Sequence, residues 1–131
     1  MSRFIGMLVI GICAWANVAT AQVLPSYSIW QNQRGSIMKV FDVNPSNGAF
    51  NGVYINNAAG FQCRGTPYAL NGRAIATGAL SFKVVWKNSW QDCHSETTWY
   101  GRVRGQTINT DWVLKNDGGG TLRGSDRFQR Q

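Results

Sequence analysis

The sequence has one histidine, three cysteines and six acidic residues, and these shortages limit the chemistry that it can perform. A zinc site is disfavoured because His94 is the only histidine and because the cysteines lack a second close pair. A hydrolase with Ser95 as its nucleophile would need a base on the same side of the strand. The neighbouring His94 and Glu96 would point away from Ser95 on a strand. We therefore expect no metal site and no enzymatic activity.

Because acidic residues are few, the chain is basic, with 13 Lys and Arg against 6 Asp and Glu and a formal net charge of +7. Such a balance raises nucleic acid, acidic polysaccharide and anionic membranes as partners. The positive residues are scattered, however, and they form neither a tight cluster nor a basic helix. A solvated surface is the favoured interpretation, and a secreted cationic binder of single-stranded nucleic acid or polysaccharide stays as an alternative.

Long apolar runs are confined to the beginning of the chain. An apolar segment from Phe4 to about Trp15 follows Met1-Ser2-Arg3, and Ala19-Thr20-Ala21 then places small residues where signal peptidase cleaves. The apolar segment is shorter than the roughly 20 residues that span a bilayer. We therefore expect residues 1–21 to be a cleaved signal peptide and residues 22–131 to be a secreted, single-domain protein with no membrane partner.

The expected cleavage leaves two of the three cysteines in the mature chain. Cys13 lies in the signal segment, and Cys63 and Cys93 remain. Two cysteines in an exported chain usually form a disulfide. If these two pair, closing the loop between them stabilises the fold by roughly 3 to 4 kcal/mol in the chain-entropy model.

Helical periodicity is missing as well. No stretch carries an apolar stripe at helical spacing, and 15 glycines argue against long helices. From Ile29 onward, runs rich in β-branched and aromatic residues alternate with clusters of glycine, asparagine and proline. Strands are predicted near residues 28–33, 36–42, 49–57, 67–75, 79–88, 96–104, 107–115 and 122–129. This all-β pattern favours an eight-stranded antiparallel up-and-down β-barrel, with a two-sheet sandwich as the alternative.

Polar residues share strand faces with the large aromatic residues, because side chains two positions apart point the same way. If the tryptophan-bearing faces point inward, the polar residues that point inward with them are Asn32, Tyr54, Asn56, Ser95, Thr97 and Asp126. An ordinary core would not accept them, since each unpaired polar group costs about 1 to 3 kcal/mol. An eight-stranded barrel can enclose one small ligand. The pattern therefore favours a ligand cavity, although internal water and mutual hydrogen bonds are the alternative.

Short motifs along the chain resemble those of the avidin and streptavidin family, in order and at similar spacing. The motifs are Asn32-Gln33-Arg34-Gly35-Ser36, Gly52-Val53-Tyr54-Ile55-Asn56, Val85-Trp86-Lys87-Asn88, His94-Ser95-Glu96-Thr97-Thr98-Trp99, Ile108-Asn109-Thr110-Asp111-Trp112 and Gly124-Ser125-Asp126-Arg127-Phe128. The resemblance runs from about Trp30 to Phe128. It implies high-affinity, non-catalytic binding of biotin inside a barrel, with biotin as a ligand and no cofactor, and it suggests sequestration of this vitamin outside the cell.

The resemblance also implies how the ring of biotin is held. Asn32, Ser36 and Tyr54 would donate hydrogen bonds to the ureido oxygen, drawing charge onto it as an oxyanion hole does. Asn56 and Asp126 would accept hydrogen bonds from the two ureido N–H groups.

The remaining implied contacts concern the sulfur, the tail and the walls of the site. Thr97 would face the ring sulfur, and Ser95, with backbone N–H groups around Ala59 to Phe61, would hold the carboxylate. The apolar walls would be Trp86, Trp99 and Trp112.

Two departures from the streptavidin pattern bring the chain nearer to the dimeric, rhizavidin-like avidins. Streptavidin-type tetramers cover the pocket with a tryptophan from a neighbouring subunit, but the corresponding loop, residues 116–121, contains none. Instead, the resemblance places Cys63 and Cys93 in the two loops that flank the pocket mouth. A disulfide there would make the mouth more rigid before the ligand binds.

The same resemblance implies a homodimer, with a higher assembly left open. Outward-facing apolar side chains are candidates for one contact patch, although exposed valines are also common on monomers. These side chains are Val53, Ile55, Val85 and Val113.

Overall fold

The structure, a computed structural model, describes residues 23–131, which form eight β-strands and no helix. The strands are β1 (Ile29–Asn32), β2 (Ile37–Val43), β3 (Ala49–Ile55), β4 (Pro67–Ala74), β5 (Ala79–Lys87), β6 (Asp92–Arg104), β7 (Thr107–Asn116) and β8 (Thr121–Arg130). The predicted signal peptide, residues 1–21, lies outside the described residues. In residues 23–131 we find no helix that is long and apolar enough to cross a membrane.

The strands form a single closed sheet in which each strand pairs antiparallel with the next. Closure comes from β1 and β8, where Gln31 lies opposite Gln129 and Asn32 lies opposite Phe128. A closed barrel leaves no unpaired strand edge. The prediction of an up-and-down barrel is therefore confirmed, and the sandwich alternative is excluded.

Seven strands begin and end within two residues of their predicted positions, but β6 begins at Asp92, well before the predicted residue 96. The reason is an irregularity in the pairing with β5. Val85 lies opposite Glu96 while Lys87 lies opposite Asp92, so β6 contains extra residues here. His94 takes up the distortion with a positive φ of 50°, as in a β-bulge.

The early start of β6 corrects one expectation of the sequence analysis. Cys93 was expected in a loop, but it lies on β6 with its side chain pointing inward. The residues at the start of β6 are mostly polar and have low β-propensity, so the sequence predicts a loop there.

One half of the barrel interior is filled by apolar side chains. Phe82 stacks on Trp99 with ring centroids 4.7 Å apart and planes 12° apart. Before β1, Leu24 is fully buried, and Trp30 donates a hydrogen bond from Nε1 to Ser28 Oγ at 2.8 Å. This packing fills the end of the barrel where β2, β4, β6 and β8 finish, which leaves the opposite end for a cavity.

The outer face does not contain the single apolar patch that the sequence suggested. Val53 and Ile55 lie on β3, whereas Val113 lies on β7. Three strands separate β3 from β7 in either direction around the barrel. The expectation of one patch is therefore wrong, because alternation shows only that these side chains point outward, and the strands that carry them lie on different sides of the barrel.

Candidate ligand-binding site

A cavity of about 260 Å³ opens at the end of the barrel where β1, β3, β5 and β7 finish. The structure brings every residue of the predicted binding set to its wall. These residues are Asn32, Ser36, Tyr54, Asn56, Trp86, Ser95, Thr97, Trp99, Trp112 and Asp126. They come from β1, β3, β5, β6, β7, β8 and the loops that follow β1 and β3.

Asn32 closes the loop between β1 and β2. Its Oδ1 accepts hydrogen bonds from the backbone N–H groups of Arg34 at 3.0 Å and Ser36 at 2.9 Å. Gly35 lies within this turn at a φ of 85°, a conformation that favours glycine. Asn32 Nδ2 donates to Tyr54 Oη at 3.4 Å. A single asparagine thus shapes the loop and contacts the phenol of the site.

Ser36 and Asn56 fix the start of the loop between β3 and β4. The backbone N–H of Asn57 donates to Ser36 Oγ at 3.0 Å, and that of Ala58 donates to Asn56 Oδ1 at 3.0 Å. Ser36 Oγ in turn donates to Asn56 Oδ1 at 3.3 Å. Both side chains are almost fully buried, so their positions are set before any ligand arrives.

Tyr54 stays protonated in this environment. Burial, the largest cause, and the negative charge of Asp126 both raise the pKa of its phenol far above the ordinary value of 10.0, and contacts with Ser36 and Arg34 oppose them. The ring packs against Trp99 at a centroid distance of 4.7 Å. Tyr54 is therefore a fixed hydrogen-bond donor at neutral pH.

Asp126 supplies a buried carboxylate, only 6% exposed. Its Oδ2 accepts a hydrogen bond from Trp99 Nε1 at 2.9 Å. Its Oδ1 accepts one from Gln33 Nε2 at 3.1 Å and lies 3.7 Å from Arg34 Nε. Two carboxylate oxygens have about four acceptor positions between them, so Asp126 keeps capacity for a donor from a ligand.

Gln33 also holds β8 in place beside the site. Its Nε2 donates to the carbonyl of Ser125 at 3.1 Å, and its Oε1 accepts from the backbone N–H of Arg127 at 2.8 Å. The side-chain amide thus continues the pairing of β8 beyond the end of β1. This contact fixes the segment of β8 that carries Asp126.

The aromatic wall is positioned by both polar and steric contacts. Trp86 donates from Nε1 to Thr97 Oγ1 at 2.8 Å and lies at an angle to Trp99, with centroids 6.4 Å apart. Trp112 lies across Gly124, where an added Cβ would come within 2.3 Å of the indole ring. Only glycine leaves the space that this tryptophan occupies.

The two mature cysteines are bonded to each other. Cys63 and Cys93 form a disulfide with a Cα–Cα distance of 6.2 Å, which confirms the predicted pairing. The Tyr68 hydroxyl lies 2.9 Å from Cys63 Sγ and 3.0 Å from the carbonyl oxygen of Gln91, so its single proton is shared between these two acceptors. The disulfide ties the loop between β3 and β4 to β6 at the cavity mouth.

Comparison with known proteins places this barrel among its relatives. The sequence profile of the Avidin family matches residues 20–131. The chain belongs to the avidin family. It is 40% identical to afifavidin of Afifella pfennigii over 108 residues, 77% of this chain and 66% of that protein. It is 36% identical to hoefavidin of Hoeflea phototrophica over 121 residues, 83% of this chain and 74% of that protein.

Solved avidin-family structures have the same architecture. A shwanavidin variant in complex with biotin superposes with a TM-score of 0.77 at 38% identity, covering 82% of this chain and 97% of that one. The rhizavidin-biotin complex superposes with a TM-score of 0.75 at 35% identity, covering 82% and 92% of the two chains. The family resemblance of the motifs is therefore confirmed.

Several residues of this avidin-family cavity were not predicted. Leu114 and Leu122 lie opposite each other on β7 and β8 and line the mouth together with Arg34, Gln62 and Asn116. Leu114 was within reach of prediction, because it is two positions from Trp112 and so shares its face. Arg34 and Gln62 lie in loops, where no periodicity exists to show which way they point.

His94 lies away from the cavity, as its position beside Ser95 predicted. Its side chain is 74% exposed, and its Nδ1 lies 3.6 Å from Asp92 and 3.7 Å from Asp117. Ser95 faces the cavity from the other side of β6. Within residues 23–131, no group of three or more His, Cys, Asp or Glu side chains is arranged to hold a metal ion.

Proposed function

We propose that this protein binds biotin in its barrel cavity with high affinity and without catalysis. The observation that carries the proposal is the convergence of buried polar groups on one aromatic-walled cavity. In residues 23–131 every fully buried side-chain nitrogen and oxygen has a hydrogen-bond partner within the protein, so a ligand must offer donors and acceptors that replace these bonds or add to them. A ureido ring, with one strong acceptor and two N–H donors, complements groups of both kinds. The biotin complexes of two relatives support this choice of ligand.

The ureido group is expected at the inner end of the cavity. Asn32, Ser36 and Tyr54 donate to its oxygen, and Asn56 and Asp126 accept from its two N–H groups. Ser36 gives up its hydrogen bond to Asn56 when it donates to the ureido oxygen, and this frees an acceptor position on Asn56 Oδ1 for the ureido N–H. The raised pKa of Tyr54 supports its role, since a phenol that keeps its proton is a donor. The buried charge of Asp126 strengthens the hydrogen bond that it accepts, because charge-assisted bonds are roughly twice as strong as neutral ones.

The rest of the ligand is expected to lie against the tryptophans and the mouth. Trp86, Trp99 and Trp112 form the apolar walls, and Thr97 faces the ring sulfur. The carboxylate tail reaches Ser95 and the backbone N–H groups of residues 59–61. Gly60 and Phe61 line the cavity, which supports this place for the tail.

High affinity is expected because the site is organised before the ligand binds. Asn32, Ser36 and Asn56 already hold their loops through hydrogen bonds to backbone N–H groups. The disulfide restrains the loop between β3 and β4. A site that needs little ordering keeps more of its contact energy as binding energy.

We also propose that the protein is secreted after removal of residues 1–21, forms a homodimer and sequesters biotin outside the cell. The apolar segment and the small residues at 19 and 21 support export. Mass spectrometry of the exported protein should give an N-terminus near Gln22, and sedimentation should give twice the mass of the mature chain. An N-terminus at Met1 or a monomeric mass would contradict these proposals.

A calorimetric titration at low and at high salt tests the binding function. We expect one biotin per chain, a Kd below about 1 μM and little change with salt. A single-stranded oligonucleotide serves as the comparison, since binding through phosphates weakens steeply as salt rises. Heat of binding with the oligonucleotide and none with biotin would overturn the proposal.

A further inference from the structure

Arg34 lies at a junction between the cavity and its mouth. It lies in the loop after β1. Among the described residues that line the cavity, Arg34 is the only positively charged one and Asp126 is the only negatively charged one. Its Nε lies 3.7 Å from Asp126 Oδ1. Its guanidinium carbon lies 5.8 Å from the centroid of the Phe61 ring, within the range of a cation–π contact.

The contacts continue from Phe61 to the opposite wall. The Phe61 ring meets Trp112 edge to face, with centroids 6.1 Å apart and planes 85° apart. Asp126, Arg34, Phe61 and Trp112 therefore form one chain of contacts from β8, across the loops after β1 and β3, to β7. We call this chain the mouth bridge.

We infer that Arg34 is a positioning residue that slows the release of bound biotin by holding the mouth bridge together. The inference rests on the proposed binding of biotin. The guanidinium fixes the Asp126 carboxylate from one side and keeps Phe61 against Trp112 on the other. Residues 117–120 contain no aromatic side chain, and Phe61 is the aromatic residue that the loop after β3 contributes to the cavity wall.

The charge and the flat shape of Arg34 both matter to this role. A cation attracts the face of an aromatic ring, and an arginine can also stack on it. The side chain is 39% exposed, so solvent screens the contact with Asp126. The effect is therefore expected to be moderate, and to appear mainly in dissociation, since changes within one binding site alter koff more than kon.

Stopped-flow measurements of biotin association and dissociation test the inference. In Arg34→Leu we expect koff to rise about 3- to 10-fold, the range of a partly screened cation–π and ion contact, with kon changed less than about 2-fold. Arg34→Lys should give an intermediate koff, because the charge returns without the flat guanidinium. Arg104→Leu is the matched control, since it removes the same charge from an exposed residue at the far end of β6.

A double-mutant cycle with Phe61→Leu separates positioning from simple stability. The increases in koff from Arg34→Leu and Phe61→Leu should combine to less than their product, because each breaks the same bridge. The inference would be overturned if koff of Arg34→Leu stayed within about 2-fold of wild type, or if the increases in koff of the two variants were fully multiplicative. It would also be overturned if the affinity of Arg34→Leu fell only through a salt-dependent decrease in kon. Failure of the wild-type protein to bind biotin would instead refute the proposed function.

Discussion

At Tyr54, two physical effects act on one phenol in the same direction. Desolvation disfavours the ionised form, and the buried carboxylate of Asp126 repels it further. The proton is therefore held more tightly in the folded protein than in the unfolded chain. This difference connects a hydrogen-bond donor of the cavity to the pH dependence of stability.

We expect the free energy of unfolding to fall above about pH 10 by as much as ~1.4 kcal/mol per pH unit on account of Tyr54. In this range the unfolded chain releases the proton while the folded protein keeps it, so stability present at lower pH is lost as pH rises. Urea unfolding of wild type and Tyr54→Phe between about pH 9 and 12 measures how the free energy of unfolding of each protein changes with pH. Parallel pH profiles of the two proteins would contradict the account.

Removing the carboxylate of Asp126 should weaken biotin binding without unfolding the barrel. Hydrogen bonds to charged groups contribute about 1.5 to 3 kcal/mol, so Asp126→Ala should raise Kd roughly 10- to 150-fold. Asp111→Ala is the matched control, because Asp111 lies on the outer face and bonds Ser125. Calorimetry checks both variants. An unchanged Kd in Asp126→Ala would remove Asp126 from the site.

Removing only the hydroxyl of Tyr54 tests the donor side. Tyr54→Phe keeps the ring packed against Trp99 and deletes one hydrogen bond to the ureido oxygen. We expect Kd to rise about 3- to 10-fold, as one neutral hydrogen bond predicts. Near-UV circular dichroism verifies that the aromatic packing persists. Wild-type affinity in this variant would exclude the proposed hydrogen bond from Tyr54 to the ureido oxygen.

The sequence predicts these side chains because period two fixes which face of a strand they occupy. Tyr54, Thr97 and Asp126 all reach the cavity as alternation requires. The same reasoning does not apply to Arg34 or Gln62. Both belong to loops, where the direction of a side chain depends on tertiary contacts.

At the scale of elements, the packing between β7 and β8 restricts which residue can occupy position 124. Trp112 packs over Gly124, and any Cβ at that position would overlap its indole. The sequence places Gly124 in one of the family motifs. It does not predict that Gly124 contacts Trp112, because this contact depends on the register between β7 and β8. Register is a property of paired strands and not of either strand alone.

Gly124→Ala should displace Trp112 and weaken biotin binding. The added methyl group forces the indole out of its position, and overpacking of this kind typically costs about 1 to 3 kcal/mol. We expect Kd to rise by about 5- to 100-fold. Gly118→Ala, in the loop after β7 with open space around it, is the control. Tryptophan fluorescence during a biotin titration checks both, and equal affinities would contradict the steric account.

The disulfide between Cys63 and Cys93 should contribute substantially to stability. It joins residues separated by 30 positions, for which the chain-entropy model gives roughly 3 to 4 kcal/mol. Reduction, or the double variant Cys63→Ser and Cys93→Ser, should lower Tm by at least about 10 °C. Scanning calorimetry with and without reductant measures the effect. An unaltered Tm after complete reduction, with thiols counted by mass spectrometry, would contradict it.

The start of β6 shows where prediction of elements from sequence stops. Asp92 to Ser95 are polar or small for the most part, and one of them, His94, has a left-handed backbone. Local propensity therefore indicates a loop, while pairing with β5 makes the segment a strand. Tertiary contacts override propensity here, as they commonly do in sheets.

At the scale of the whole molecule, one end of the barrel is a packed core and the other a cavity. The sequence predicts the barrel and the inward polar groups, because strand number and alternation are both local patterns. The expectation of one outer patch was wrong because it considered only that the four apolar side chains point outward, and not how far apart their strands lie around the barrel. Their dispersal over β3, β5 and β7 follows from the closed strand order.

The most direct test of a ureido-binding cavity is a thermal shift of the wild-type protein with and without biotin, repeated for Asp126→Ala. A ligand that binds only the folded state adds about 2.7 kcal/mol at 100 times its Kd, so Tm should rise by roughly 10 °C or more. The rise should persist at high salt and shrink in Asp126→Ala. An identical Tm with and without biotin in the folded wild-type protein would contradict the account.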